Sequence, residues 1–341
     1  MPRRGEPLRK MGFLTIGRFD TADPGPGHEE TLRMIERAES LGFDTVWVRQ
    51  RHLQPGISSP VAILAAASQR TSRIELGTAV IPLGLENPLR LAEDLATVDI
   101  LSGGRLNPGV SVGTPMHYDN YRTALYPETH AVENFTKDRV TRLLAGLRGD
   151  PVSSFEGTIG IERFSRSVQP HSPGLAERVW YGGGLASAIW AGTQGLNYLT
   201  SNVVSTEGTT SRDFGTIQAE QIDAFLAHHP NPATARVSQG LVVIPTDSAT
   251  SAQVHKYRAY ATARLERTRT THGPRGMMFA PDLVGTTDEL AEMLYEHPGF
   301  QRAREVAFAL PFTFDEEDYV QIVTDMAEKL GPKLGWTAAE A

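Results

Sequence analysis

Eight short apolar runs, each followed by a stretch of helical character, constrain the fold of this chain more than any other feature. Strands of a parallel sheet are covered on both faces, so they read as continuous apolar runs rather than alternating ones. The runs are MGFLTIG from Met11, DTVWV from Asp44, RIELGTAVI from Arg73, RLNPGVSVG from Arg105, RVWYG from Arg178, LNYLTS from Leu196, RVSQGLVVI from Arg236 and EVAFAL from Glu305. Eight β-then-α units in 341 residues predict an α/β fold of the (β/α)8 TIM-barrel class. A doubly wound sheet, which shares the alternation, is the alternative.

Local signals place the helices. Ser59-Pro60 and Asn87-Pro88 each set a capping residue before a proline at the first helical position, where a missing N–H costs nothing. Thr286 with Glu289 and Thr313 with Glu316 predict capping boxes. In the last helix Tyr319, Ile322, Val323, Met326, Ala327 and Leu330 follow the rhythm of one buried face.

The spacing of the runs is uneven. Gly113 to Glu177 is too long for one helix and two short loops, so an insertion is expected between strands four and five, with a helix near ENFTKDRVTRLLAGL and a hairpin around SFEGTIGIERF. Arg264 to Pro281 is basic, polar and rich in breakers, which reads as a mobile loop before strand eight. Residues 1–10 read as a disordered N-terminal extension, and 11–341 as one barrel domain.

Composition narrows the chemistry. With no cysteine there is no disulfide framework, thiolate nucleophile or cysteine-bound metal. The ten histidines show neither H-x-H nor H-E-x-x-H spacing, so no metal site is expected. A net charge of −7 without a long basic run argues against a nucleic-acid surface. No apolar run approaches the roughly 20 residues that cross a bilayer, and no apolar stretch follows the N-terminal arginines as in a secretory signal. A cytoplasmic protein with a small-molecule ligand is the expectation.

In a barrel of this class the site lies at the C-terminal ends of the strands. Arg49, Gln50, Arg51 and His52 follow the second run; Ser111, His117 and Tyr118 follow the fourth. After the fifth come Gly182, Gly183, Gly184 and then Ser187. Those glycines either let a phosphate approach a helix N-terminus or form a tight turn. Ser187 would donate its hydroxyl to such an anion or help cap the helix. His52 is a candidate base or orienting donor, or a histidine bonded to a backbone carbonyl. Arg49 and Arg51 would balance an anionic substrate or a reduced cofactor, or are solvated. Ala79 and Val80 form a small-residue strand end suited to a flat ring, or ordinary core.

Several of these stretches together resemble the bacterial luciferase-like flavin-dependent monooxygenase family, from Met11 to about Leu334. They are AESLGFDTVWV with RHL, SRIELGTAVIPL, NPLRLAEDLATVDILSGGRL, FEGTIGIERF with VQPHSP, RVWYGGG and LVGTTDEL. The resemblance implies a barrel that binds reduced FMN, or in one branch the deazaflavin F420. It matches Gly183, Gly184 and Ser187 to phosphate-contacting positions, and Ala79 and Val80 to the ring site, often a non-proline cis peptide. Ser111 matches a position near the reactive edge of the flavin. Where the family often has Glu-His-His, this chain has Gln50-Arg51-His52. Arg51 thus holds the place of a histidine implicated in catalysis, with His52 its neighbour, and these two are the candidate catalytic residues. Val112 stands where luciferase has a phosphate-binding arginine, so Lys137 or Arg139 would supply the cation.

The implied activity is oxygenation of a small organic substrate by reduced FMN and O₂, with a separate NAD(P)H:flavin reductase supplying the flavin. The long loop would then act as a lid. F420-dependent hydride transfer and flavin binding without turnover are the alternatives. A homodimer through the helices after strands two and three is also implied.

Overall fold

The computed structural model describes residues 6–273 and 275–340. Its barrel strands are β1 (Lys10–Thr15), β2 (Thr45–Val48), β3 (Glu75–Thr78 and Ile81–Pro82), β4 (Leu106–Asn107 and Gly109–Ser111), β5 (Trp180–Gly182), β6 (Asn197–Leu199), β7 (Val237–Gln239) and β8 (Glu305–Ala309). Each coincides with one of the eight apolar runs, with only Lys10 and Pro82 falling one residue outside. β1 pairs with β2, β2 with β3, and β3 with β4 through both parts of each strand; the pairing continues β4–β5–β6–β7–β8, and β8 returns to β1. Every pair is parallel, so the ring closes as a (β/α)8 barrel.

Side-chain alternation fills the barrel in layers. At the N-terminal end Arg236 pairs with Glu75 at 2.8 Å and Glu305 at 2.7 Å, and Lys10 also pairs with Glu75. Above this plug Trp47 and Trp180 meet edge to face at 5.2 Å, packed with Leu199, Ala307, Ala79 and Val80. Two residues beyond Trp47, the next inward position of β2 is Arg49, whose N–H still bonds Thr15.

The caps on Ser59, Asn87 and Thr286 form as the local sequence demands. The last box does not: the helix Glu316–Asp325 starts from Asp315 with Asp318, not from Thr313 with Glu316. Asp315 and Asp318 also share Lys256, which favours the later start. Ile322, Val323, Met326, Ala327 and Leu330 are buried, as their spacing requires.

Three other readings change. Residues 1–5 of the expected N-terminal extension lie outside the described residues, but Leu8 is buried and bonds Leu334, and β1 begins at Lys10. The chain is therefore docked from Leu8 rather than from Met11. The helix Asp138–Arg148 packs on Pro88–Leu101 as the helix of the fourth unit. The excess chain lies before and after it and includes an exposed hairpin of Gly157–Ile159 with Glu162–Phe164.

The segment 264–281, expected as a loop, contains the strand Met277–Phe279 paired with Val203–Ser205. Just beyond it, Leu283–Gly285 pairs with Val243–Pro245, which continues the seventh apolar run outside the ring. The arginines that make this segment look solvated are spent on contacts: Arg264 binds Asp282 at 2.5 Å and stacks on Tyr260, and Arg267 stacks on Phe279.

Candidate active site

The turn after β5 answers two demands at once. A Cβ on Gly183 would stand 2.6 Å from the Ser187 Cβ, so the turn itself excludes a side chain there. Tyr198, fully buried, donates to the Gly183 carbonyl at 2.6 Å and fixes that peptide. Gly184 is different. Its backbone is extended, at φ −78° and ψ −165°, and a Cβ would meet only Ser205, at 3.3 Å. It is the N-cap of the helix Leu185–Thr193 and offers no side-chain cap. Ser187 and Ala188 both return their N–H groups to the Gly184 carbonyl at 2.9 Å. The N–H groups of Leu185 and Ala186 have no partner among the described residues, leaving the positive end of the helix open.

A cation stands beside that open turn. The Lys137 Nζ is 3.5 Å from the Ala186 carbonyl and 5.1 Å from the Trp190 ring centre, and burial pulls its pKa below the usual lysine range. Arg139, the other cation considered, is used elsewhere. Its guanidinium donates to the carbonyls of Leu83, Glu86 and Asn134, and it pairs with Glu133. Ser187 lies beside Tyr181; burial raises the pKa of that tyrosine, while Ser187 and the Val112 backbone act the other way.

β3 and β4 bring the next two expected positions to the same face. The Ala79–Val80 peptide is cis, and Val80 lies over Gly182, its Cγ1 3.2 Å from where a Cβ would be. Ser111 closes β4 in register with Pro82. Ala79, Val80, Ser111, Gly183, Gly184 and Ser187 thus occupy the ends of three consecutive strands, above the Trp47–Trp180 floor.

The residues after β2 adjoin this group on the side of β3. His52 lies against Tyr121 with ring centres 4.8 Å apart, and Arg51 stacks over Phe312 at 5.1 Å. Gln50 donates to Glu86 at 3.0 Å, and its own buried carbonyl oxygen has no partner among the described residues. Burial pushes the Glu86 carboxyl above the usual range; Gln50 and His52 pull it back, and Asp94 adds to the rise. Sequence reasoning did not single out Glu86. Its signal was a carboxylate directly before the Asn87-Pro88 cap.

Burial pulls Arg49 below the usual arginine range, to about 10, with Arg51 adding to the effect; burial also lowers Arg51. The segment beyond Arg264 reaches the mouth from above. The Arg275 carbonyl accepts from Ser205, and its guanidinium lies 3.5 Å from where a Cβ on Gly113 would be. No group of three or more metal-ligating side chains is assembled among the described residues, and no described helix is long and apolar enough to cross a membrane.

Comparison with known proteins follows this geometry. Residues 10–303 match the family of luciferase-like monooxygenases. A 4-hydroxyprotoasukamycin monooxygenase of Streptomyces nodosus subsp. asukaensis is 33% identical over 129 residues, 36% of this chain and 34% of that protein. An F420-dependent glucose-6-phosphate dehydrogenase of Amycolatopsis mediterranei is 28% identical over 187 residues, 52% of this chain and 54% of that protein. The chain therefore spans between about a third and about half the length of these curated relatives. A monooxygenase from Streptomyces bottropensis shares the fold at a TM-score of 0.72 and 20% identity, covering 95% of this chain and 99% of that one.

Proposed function

The chain belongs to the luciferase-like monooxygenase family, and from that premise we propose that it is a flavin-dependent oxidoreductase using reduced FMN and O₂ to oxygenate a small organic substrate. The observation that carries this reading is the open N-terminus of the helix Leu185–Thr193 behind Gly183 and Gly184, with Lys137 beside it. Free N–H groups, a helix dipole and an ammonium together suit a terminal phosphate. When bound, reduced FMN supplies the two electrons that let one oxygen atom enter the substrate while the other leaves as water.

The chain's own residues would divide the remaining work. Gly183, Gly184 and Ser187 would shape the phosphate pocket, with Lys137 balancing its charge. Ala79 and Val80 would present an apolar face to the ring, with Ser111 among the residues holding it. His52 would take or give a proton at a ring nitrogen, and Glu86 is a carboxyl on which it acts. Arg51 stays protonated and acts as a fixed charge rather than a base. The segment that carries Arg275, which reaches Ser205 and Gly113, would act as a lid and keep water from the reaction. A separate NAD(P)H:flavin reductase would provide the reduced cofactor.

Hydride transfer from F420 is the second reading, supported by the similarity to the F420-dependent dehydrogenase. Titration with FMN and with F420, followed by protein fluorescence, tests both. FMN is expected to bind, and Lys137→Ala to weaken it about tenfold or more, the worth of one charge-assisted contact. Tighter binding of F420 would replace the first reading with the second.

The helix Pro60–Ser68 turns Ala62 and Ala66 outward, and Leu89, Ile100 and Leu101 are exposed on the next helix, Pro88–Leu101. This apolar surface favours a homodimer through these helices. Ala62→Arg is expected to give monomers in sedimentation equilibrium; a wild type that already sediments as a monomer removes the proposal.

A further inference from the structure

Arg49 and Arg51 are half-buried charges of the mouth, unlike the exposed Arg275. Arg49 occupies the inward position above Trp47, level with Ala79, since Val48 and Thr78 are partners in register. Among the described residues neither guanidinium donates a side-chain hydrogen bond, and neither has a carboxylate within ion-pair reach; Arg51 touches only the Phe312 ring through its cationic group. Other arginines that end inside the fold are met either by backbone carbonyls, as Arg73 and Arg105 are, or by a carboxylate. Arg236 has Glu75 and Glu305, Arg178 has Asp99, Arg264 has Asp282, and Arg139 has Glu133. Two partly buried cations two residues apart without a counter-charge cost stability, because burial weakens their hydration. A fold keeps such a pair when something else supplies the negative charge.

The phosphate does not. In an eight-stranded ring β5 stands opposite β1, so the cradle behind Gly183 lies across the mouth from β2. The charge that meets Arg49 therefore comes from a different group. We infer that Arg49 and Arg51 form a second anion site, which binds the carboxylate or an equivalent anionic group of the substrate on the β1–β2 side of the ring-packing surface. This names the substrate class as a small organic acid, and it rests on the reading above for the identity of the ring bound at Ala79 and Val80. Phe312, stacked under Arg51 and itself flanked by Arg264, holds the second guanidinium in place. The planar fork of arginine suits a carboxylate, which it can grip through two parallel hydrogen bonds.

Calorimetric titration of the full chain with benzoate and with its uncharged isostere benzamide tests the site, in the free and the FMN-loaded protein. Benzoate is expected to bind at least tenfold more tightly than benzamide, and more weakly as salt rises. Arg49→Gln is expected to remove that preference, whereas Arg33→Gln, at an exposed ion pair outside the site, leaves it intact. The thermal midpoint of free Arg49→Gln protein is expected to rise by about 2 °C or more, because an uncompensated charge is gone. Equal binding of the two probes by the wild type overturns the proposal, as does unchanged benzoate affinity in Arg49→Gln. A lowered midpoint also overturns it, since the guanidinium would then be spent on the fold. If benzoate affinity survives in Arg49→Gln but the reduction potential of bound FMN falls, the pair serves the reduced ring and not a substrate. Failure of the wild type to bind FMN defeats the flavin reading alone, because the titrations of free protein still report on the arginine pair.

Discussion

Gly184→Asp is expected to weaken FMN binding a hundredfold or more while leaving the thermal midpoint of the free protein at or above that of the wild type. The two effects have opposite signs for one reason. Gly184 is the N-cap of the helix Leu185–Thr193, in a backbone conformation open to any residue. Aspartate is among the best N-caps, so in the free protein its carboxylate would accept the N–H groups that nothing else satisfies, a gain of a few tenths of a kcal/mol over glycine. That carboxylate would occupy the volume proposed for the phosphate and repel it. Two unit charges about 4 Å apart near a protein surface interact by about 4 kcal/mol, more than the roughly 2.7 kcal/mol that a hundredfold loss requires. Gly184→Ala separates charge from bulk, since its Cβ meets Ser205 in the same way. It is expected to lose less than tenfold. Fluorescence titration and a thermal melt of both variants decide the matter: an Asp variant with wild-type affinity would place the phosphate elsewhere and remove the observation on which the proposed function stands.

The barrel was legible because burial on both faces leaves a mark in composition that needs no knowledge of partners, and each of the eight strands coincides with an apolar run to within one residue. The candidate site was legible only by residue position. That Ala79, Val80, Ser111 and the glycine turn stand on three adjacent strands follows from strand order. Which cation faces the open helix does not: Lys137 and Arg139 are two residues apart at the start of one helix, and their side chains go to different places. Composition misled at 264–281. Its arginines look solvated in one dimension, yet Arg264 and Arg267 find Asp282 and the rings of Tyr260 and Phe279 in three. The isolation of Arg49 and the elevation of Glu86 were equally invisible, because each depends on what is absent or present around the side chain and not on its neighbours in sequence.

At the other end of the barrel, Arg236→Met is expected to destabilise the protein by about 2–3 kcal/mol at neutral pH, somewhat less than removal of one partner from a fully buried ion cluster, because these side chains are partly exposed. Arg236 donates to Glu305 at 2.7 and 2.8 Å and to Glu75 at 2.8 Å, and also covers the Trp180 ring at 4.8 Å. The variant would retain the ring contact in part and leave two carboxylates facing each other. The loss should depend on pH. In the wild type, burial by itself would raise the Glu75 pKa, but Arg236 and then Lys10 hold it below the ordinary value of 4.5. A carboxylate lowered in this way contributes stability above its unfolded pKa and loses it as pH falls through the folded one. Without Arg236 the burial effect gains ground and the folded pKa of Glu75 rises. Protonation then relieves the variant as pH falls toward 5, where the wild-type carboxylate still keeps its charge. Urea unfolding at pH 7 and pH 5 is therefore expected to show the gap between the two proteins narrowing by about 1 kcal/mol or more, the equivalent of somewhat under one pKa unit. A gap that stays constant would mean that Arg236 acts through its packing on Trp180 and not through its charge. FMN affinity should be unchanged in the folded variant at either pH, because the Trp47–Trp180 layer separates this plug from the strand ends where the cofactor is proposed to bind.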